Sequence, residues 1–409
     1  MQLHSELTLE QNLLLHLLRR GLLGESEPLD AEAWKDADWG EVCKEAVQQA
    51  VPVIAFDVAA EYKKQIPQNL YRYWLKLSGG TLQANERITH AQEELIAWLK
   101  EAGYTYLILK GTSAAAYYPK PENRGYGDVD FLVQEDCVKA VGKMLKEKGC
   151  KKESVGGHHI AYARADGVHL ELHFAVGGIP YGERGEKIKA FLANILQTSQ
   201  TVKSGLTEFV APSDEKHAMV LILHMLSHML GEGMGLRHLC DFACFLNKTH
   251  EKAFWVESLL PLLKDVGLYT YVQIMTKTCA LYLGSVLPSW AADADESVCL
   301  EVLKELFVSG NFGGKDFKRA KSAMLISERG KAGMKHGKVY NLCHGLHNYT
   351  KAKHPVCQKC FLLYPIFYIG EMVRYGWLMI RGKRPSPLSM TTQADERKAV
   401  YEKLHIYEE

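Results

Sequence analysis

The sequence predicts an α+β fold in which a small mixed β-sheet is flanked by N-terminal and C-terminal helical segments. Apolar residues that alternate with a period of two, the pattern of a β-strand, lie near the middle of the chain at 129–133 and 168–174. Apolar residues spaced three and four apart, typical of amphipathic helices, lie on both sides of that stretch. With 409 residues and 47% hydrophobic content, the chain can bury a large core.

The first predicted region, residues 1–103, is helical. One apolar stripe consists of Leu13, Leu14, Leu17 and Leu18. A second stripe consists of Ile88, Ala91, Leu95, Leu99 and Ala102. Gly103 follows the second stripe, and glycine commonly ends a helix, so we expect the helical region to stop there.

The second predicted region, residues 104–180, is an α/β core that begins with a candidate phosphate-binding turn. Tyr104–Leu109 is a short apolar strand, and the turn after it opens a predicted helix. Gly111 lets the backbone approach a phosphate, and Thr112 or Ser113 can cap the helix, whose free N–H groups attract anions. Two residues add positive charge on either side of this helix: Lys110 and Arg124.

Carboxylates are predicted to gather on one face of the sheet. Asp128 and Asp130 alternate with Val129, so both point away from the buried side of a strand. In the next alternating segment Glu171 lies on the polar face and can converge with them across neighbouring strands. Hard divalent cations prefer such oxygen ligands, which predicts two Mg²⁺ ions, or Mn²⁺, bound by all three carboxylates.

The same grouping predicts an effect on stability. Three carboxylates brought together without metal disfavour one another's ionised forms. Replacing Asp130 by Asn is therefore expected to leave the melting temperature of the metal-free protein unchanged or slightly higher.

The third predicted region, residues 181–409, is mainly helical. His224 and His228 lie four apart in one predicted helix and so share a face. They are either a metal-binding pair or half-buried histidines that line the cleft. Arg237 and Asp241 have the same spacing in the next helix, and they can pair with each other or reach the α/β core.

The tail contains an apolar segment, residues 361–384. Pro365, Glu371 and Arg374 interrupt it, and charges are costly in the middle of a membrane span. We therefore expect a buried helix, with peripheral membrane contact by an amphipathic helix as the alternative.

Composition narrows the class of protein. The formal net charge of +1 provides no global basic field, so a long nucleic acid is not expected as partner. The ten cysteines show no framework spacing and the N-terminus no signal segment, which favours a cytoplasmic protein. Cys357 and Cys360 form one tight pair near several histidines, and a structural zinc there is the minor alternative.

The order of these motifs resembles a known family. The chain contains, in sequence, Lys110-Gly111-Thr112, Arg124, Asp128-Val129-Asp130 and Leu170-Glu171-Leu172. This series resembles the DNA polymerase beta-like nucleotidyltransferase superfamily, and more closely the bacterial uncharacterised nucleotidyltransferase family. That resemblance covers roughly residues 10 to 250, including Trp39 and the downstream pairs 224/228 and 237/241. Superfamily members usually carry Gly-Ser at the turn, so the threonine here leaves the choice of nucleotide open.

The resemblance implies a metal-dependent transfer of a nucleoside monophosphate from a nucleoside triphosphate, ATP or another, to an unknown hydroxyl acceptor on a small molecule or protein. It implies that Asp128, Asp130 and Glu171 are catalytic and hold the metal. Nucleotide binding is implied for Lys110, Gly111, Thr112, Ser113 and Arg124. A supporting role around the cleft is implied for His173, His224, His228, Arg237 and Asp241.

Three other functions stay open. The first is a catalytically inactive nucleotide-binding or regulatory module. The second is a zinc hydrolase that uses His169, Glu171 and His173, which alternate onto one strand face but lack a fourth ligand position and a general base. The third is an interaction protein with a vestigial cleft. Metal analysis and turnover of labelled triphosphate would separate them.

Overall fold

The computed structural model describes residues 4–24, 32, 34–180, 182–205, 207–231, 233–313, 315, 347, 350, 354, 356, 363–381 and 400–407. Its N-terminal part contains helices α1 (Leu9–Leu23), α2 (Trp39–Gln48), α3 (Pro52–Ala59) and α4 (Gln68–Glu101). Thr8 starts α1 because its hydroxyl accepts from the Gln11 N–H while the Gln11 side chain accepts from the Thr8 N–H. The left-handed backbone of Gly24 ends that helix.

Helix α4 connects two hydrophobic clusters. Near its start Trp74 is fully buried among the N-terminal helices, and its indole N–H donates to the Pro52 carbonyl at 2.9 Å. Near its end the predicted apolar stripe packs on the sheet through Ile88, Ala91, Leu95 and Leu99. The helix ends just before Gly103, which has a φ of 72°, so the predicted stop is confirmed. Ala102, predicted as the last member of the stripe, is instead exposed at the end of the helix.

The central sheet contains β1 (Tyr106–Ile108), β2 (Val129–Val133), β3 (Lys151–Val155), β4 (His159–Ala163) and β5 (His169–His173). The strands lie in the order β1-β2-β5-β4-β3. Strands β2 and β5 run parallel and the other neighbours antiparallel, so the sheet is mixed, as predicted. Two helices lie within this part, α5 (Thr112–Ala115) and α6 (Val138–Glu147).

The two faces of the sheet differ as the alternation predicts. Val129, Phe131 and Val133 are buried in the cluster that includes the second half of α4. Leu170 and Leu172 of β5 belong to the same cluster. The opposite face of β2 and β5 is left for polar side chains.

The C-terminal part begins with α7 (Glu183–Leu192) and a hairpin of β6 (Ser199–Ser204) and β7 (Thr207–Pro212). Helices α8 (Asp214–Leu230), α9 (Leu236–Thr249), α10 (Leu260–Asp265), α11 (Tyr269–Leu283) and α12 (Glu296–Ser309) follow. The sequence did not predict the hairpin, whose Phe209 and Ala211 join the core of the sheet. The α+β fold class with flanking helical segments is confirmed.

The apolar tail segment forms helix α13 (Tyr364–Ile380). The prediction of a buried helix is wrong, because Ile366, Ile369 and Val373 are each at least 60% exposed. Glu371 is instead buried, between His354 and Arg374. Across the described residues, no helix combines the length and apolar character that crossing a membrane requires.

Candidate active site

Two predicted carboxylates meet across the parallel strands. Asp130 of β2 and Glu171 of β5 are register partners, which puts their side chains side by side on the polar face. Asp130 is only 3% exposed, whereas Glu171 is half-buried. Asp128 lies just before β2 and is also half-buried. The charge of Asp130, followed by burial, raises the pKa of Asp128 to about 7, so the third carboxylate is electrostatically part of this group.

Asp130 already has two basic partners within the chain. The Lys110 ammonium lies 2.6 Å from Asp130 Oδ1, and the His173 Nε2 atom lies 2.9 Å from the same oxygen. Burial alone would raise the pKa of Asp130, but Lys110 and His173 outweigh burial and lower it. The expectation that neighbours disfavour the ionised form of Asp130 is therefore wrong, and the disfavoured carboxylate is Asp128.

His173 contacts the carboxylates of both strands, Asp130 and Glu171. Its Nε2 atom lies 3.3 Å from Glu171 Oε2 as well as 2.9 Å from Asp130. Burial lowers the pKa of His173, but hydrogen bonds to Asp130 and Glu171 more than compensate and raise it. An imidazole held between two carboxylates can keep both in place for a ligand.

Two further histidines reach this group and were missed by sequence reasoning. The His159 Nε2 atom lies 3.5 Å from Glu171 Oε1, and the His158 ring lies 5.5 Å from the His173 ring. Burial, then the charges of neighbouring histidines, lowers the pKa of His158 to about 4. The signal for them was their position after Gly156-Gly157, the turn that brings β4 beside β3.

The predicted phosphate turn lies directly beside the carboxylates. Gly111 has a φ of 63°, which favours glycine, and a Cβ there would lie 3.6 Å from the Asp128 carbonyl oxygen. The hydroxyls point inward: Thr112 donates to Gln92 Oε1 at 2.6 Å and Ser113 to the Ile108 carbonyl at 2.5 Å. The predicted helix is only α5, and neither hydroxyl caps it, so that expectation is wrong.

Arg124 faces helix α9. Its guanidinium donates two hydrogen bonds of 2.8 Å to the Asp241 carboxylate, which also accepts from the Tyr118 hydroxyl at 2.7 Å. Burial lowers the pKa of Arg124, but Asp241 outweighs this and raises it. Asp241 thus reaches back to the α/β core instead of pairing with Arg237, and the charge of Arg124 is balanced within the chain.

The loop between Arg124 and the aspartates is fixed by Asn85 of α4. The Asn85 amide donates to the carbonyls of Glu122 and Arg124 and accepts from the Tyr126 N–H, each at 2.8 Å. Sequence reasoning missed Asn85, because a lone amide within a helix gives no signal of a distant loop.

Arg237 and the predicted histidine pair line the same region. Arg237 is half-buried, and its Nε has no hydrogen-bond partner among the described residues. Burial lowers its pKa, while Asp241 and Asp128 act in the opposite direction. The rings of His224 and His228 lie 4.5 Å apart, and His238 of α9 joins them. Lys110 acts on the pKa of both members of the pair, so they lie near the turn.

The zinc hydrolase trio is not assembled. His169 is exposed at the other end of β5, and its Nδ1 atom lies 2.9 Å from Glu153 of β3. His169 and His173 lie four residues apart along an extended strand, about 13 Å, so they cannot share one ion. The alternative zinc pair, Cys357 and Cys360, lies outside the described residues.

Comparison with known proteins then decides the family. Residues 35–284, more than half of the chain, match the family described as uncharacterised nucleotidyltransferase. The chain belongs to that family. The expectation of a nucleotidyltransferase, drawn from the ordered motifs, is confirmed at this level, and all the carboxylates above lie within the matched residues.

Other comparisons add little to the family match. A comparison with curated proteins finds no match. The chain is similar to an antigenic nucleotidyltransferase-like protein from Paracoccidioides brasiliensis, with 16% identity over 53% of this chain and 98% of that one, at a TM-score of 0.29. A TM-score this low supports no argument about the site.

Proposed function

We propose that this nucleotidyltransferase transfers a nucleoside monophosphate from a nucleoside triphosphate to a hydroxyl acceptor. The observation that carries the proposal is the pairing of Asp130 with Glu171 across β2 and β5, directly beside the Lys110-Gly111 turn. Carboxylate oxygens, of the kind that bind divalent metals in other proteins, and a lysine ammonium therefore lie close together, which supports transfer of a phosphoryl group at this location.

The residues present fit Mg²⁺ in their donor chemistry. Asp128, Asp130 and Glu171 supply carboxylate oxygens, and the raised pKa of Asp128 reflects an excess of negative charge that a cation would relieve. Lys110 and His173 both contact Asp130 at the same carboxylate oxygen, Oδ1. When bound, Mg²⁺ or Mn²⁺ would offset the charge of the phosphate oxygens and of the leaving pyrophosphate.

The chain's own residues account for the rest of the reaction. The acceptor oxygen forms a bond to the α-phosphorus while the bond from that phosphorus to the α,β-bridging oxygen breaks. Glu171 takes the proton of the acceptor hydroxyl, and pyrophosphate leaves with the electron pair of the broken bond. Lys110, held by Asp130 at the turn, supplies positive charge beside the phosphates.

The test is a screen of the four labelled triphosphates with Mg²⁺ or Mn²⁺ against pooled small-molecule and protein acceptors. Pyrophosphate release that is lost in Asp128→Asn and Glu171→Gln, but kept in the control Glu153→Gln on the exposed strand β3, supports the proposal. Release that is unchanged in the two site variants contradicts it.

Two observations favour a second candidate, a nucleotide-binding module without turnover. Lys110 and His173 already balance Asp130, and the hydroxyls of Thr112 and Ser113 are turned inward. Triphosphate binding without pyrophosphate release for any nucleotide or acceptor would support this candidate.

A further inference from the structure

Three histidines form a cluster that the proposed transfer does not use. His224 and His228 lie one turn apart on α8, and His238 lies in the first turn of α9. The ring of His238 lies 5.1 Å from that of His224 and 4.5 Å from that of His228. One ring nitrogen from each can be chosen so that all three lie within 4.8 Å of one another.

The His238 ring is buried with little polar contact among the described residues. It is 1% exposed, and its side chain interacts weakly with the Gly235 backbone, but neither ring nitrogen makes a full hydrogen bond to a described residue. Buried polar groups are normally hydrogen-bonded, so a ring that makes no full hydrogen bond at either nitrogen and has two imidazoles beside it indicates a missing ligand. Burial lowers the pKa of all three histidines, which favours the neutral form that binds metals.

We propose that His224, His228 and His238 bind a first-row transition metal ion of the Zn²⁺ class, at a site separate from the carboxylates. Imidazole nitrogens suit such ions, whereas Mg²⁺ prefers oxygen. Tetrahedral zinc with bonds of about 2.0 Å needs nitrogens about 3.3 Å apart, which small rotations of these rings can provide. The ion joins the second half of α8 to the start of α9.

The groups around the three histidines favour an anionic fourth ligand. The Phe312 ring lies 5.0 Å from the His228 ring and 6.3 Å from the His238 ring, which restricts access from that side. Arg237 and Lys110 both lower the pKa of His228, and Asp130 acts in the opposite direction. With these two cations nearby, a bound divalent ion adds further positive charge to the region. An anionic fourth ligand such as hydroxide offsets part of that charge.

The test is a titration of the full, metal-stripped chain with Co²⁺, whose tetrahedral complexes absorb strongly in the visible range. We expect one equivalent to bind with that spectrum, and His224→Gln and His228→Gln each to weaken binding at least about 100-fold. These two residues are half-buried, so replacing them disturbs the packing less than replacing the fully buried His238 would.

Two controls locate the ion. His217→Gln changes a buried histidine of the same helix outside the cluster. His173→Gln changes the histidine shared by the two other groups of described residues that could hold a metal, one with His158 and His159 and one with Asp130 and Glu171. Both variants should keep the Co²⁺ spectrum. Its loss in His173→Gln with retention in His228→Gln, or its absence in the parent, overturns the proposal. Because the readout is metal binding and not turnover, it is independent of the proposed transfer.

Discussion

Asp128 and Asp130 are identical side chains two residues apart, yet their pKa values move in opposite directions. Asp130 has the Lys110 ammonium and the His173 ring on one of its oxygens, and its pKa is lowered. Asp128 has the charge of Asp130 beside it and a raised pKa. The repulsion between the carboxylates therefore disfavours the ionised form of Asp128, while the charge of Asp130 is offset by its neighbours.

This difference predicts opposite effects on stability for two matched variants. At about pH 8 without metal, Asp128→Asn should melt at or above the parent temperature. The raised pKa means that ionising Asp128 destabilises the folded chain progressively from about pH 4 to 7, and at pH 8 that cost is full. Asp130→Asn should lower the free energy of unfolding by about 2 kcal/mol, because Lys110 loses its counter-ion. Thermal denaturation in a chelator measures both, and equal melting temperatures would contradict the charge assignment.

The sequence could place the carboxylates but not their cations. Strand periodicity is local, so it was enough to put Asp130 and Glu171 on one face. The contact from Lys110 depends on the antiparallel pairing of β1 with β2 and on the left-handed backbone of Gly111, neither of which a local pattern specifies. Counter-ions within the chain are for this reason harder to predict than ligand sets.

At the scale of elements, the pair of Arg124 and Asp241 joins the loop before β2 to helix α9. Both side chains are at most 5% exposed. Asp241→Asn should lower the free energy of unfolding by about 3 to 5 kcal/mol, because a buried guanidinium loses its counter-ion. The control is Asp166→Asn, which breaks a more exposed pair with Arg164 and should cost under about 1 kcal/mol. Urea denaturation measures both, and a similar loss in the two variants would refute a structural role for the buried pair.

Helix α9 also carries Arg237, whose Nε has no hydrogen-bond partner among the described residues. If its guanidinium binds phosphate oxygens, Arg237→Ala should weaken triphosphate affinity about tenfold or more, the effect of one charge-assisted hydrogen bond. Arg237→Lys, which keeps the charge, should recover part of the affinity. Calorimetry with a non-hydrolysable triphosphate is the measurement, and unchanged affinity in the alanine variant would assign Arg237 to packing against Phe312.

Elements with strong periodicity were predicted, and those without it were not. Strands β2 and β5 have one fully apolar face, whereas β6 has the sequence Ser-Gln-Thr-Val-Lys-Ser and only one fully buried residue. Such a strand forms because it pairs with β7, which contributes Phe209 to the core of the central sheet, a tertiary effect that outweighs local preference. For α13 the helix was predicted correctly but its burial was not, because an apolar sequence does not determine which neighbours cover it.

At the scale of the whole molecule, buried neutral histidines predict sensitivity to acid. His217 is fully buried on α8 beside Tyr117, and burial lowers its pKa to about 4. The unfolded chain takes up this proton near its ordinary pKa of about 6.5, so between these values the unfolded state binds more protons and stability falls with falling pH. The slope for this one group is about 1.4 kcal/mol per pH unit.

His217→Gln isolates that contribution. Near pH 7.5 the variant should be about 1 kcal/mol less stable than the parent, because the contact with Tyr117 is altered. By about pH 5 the stability of the variant relative to the parent should have risen by about 2 kcal/mol, since glutamine cannot take up the proton. Urea denaturation at the two pH values measures the difference, and a gap that does not change with pH would show that His217 titrates normally in the folded chain.

Helix α4, 34 residues long, sets a limit on how the protein can be shortened. A chain that started at Gly103 would keep every carboxylate of the site, yet it would expose the sheet surface that Ile88, Leu95 and Leu99 cover. It would also lose Asn85, and with it the three hydrogen bonds that hold the loop before Asp128. The smallest fragment with an ordered site must therefore include the second half of this helix, and a cut at Gly103 should yield an insoluble product.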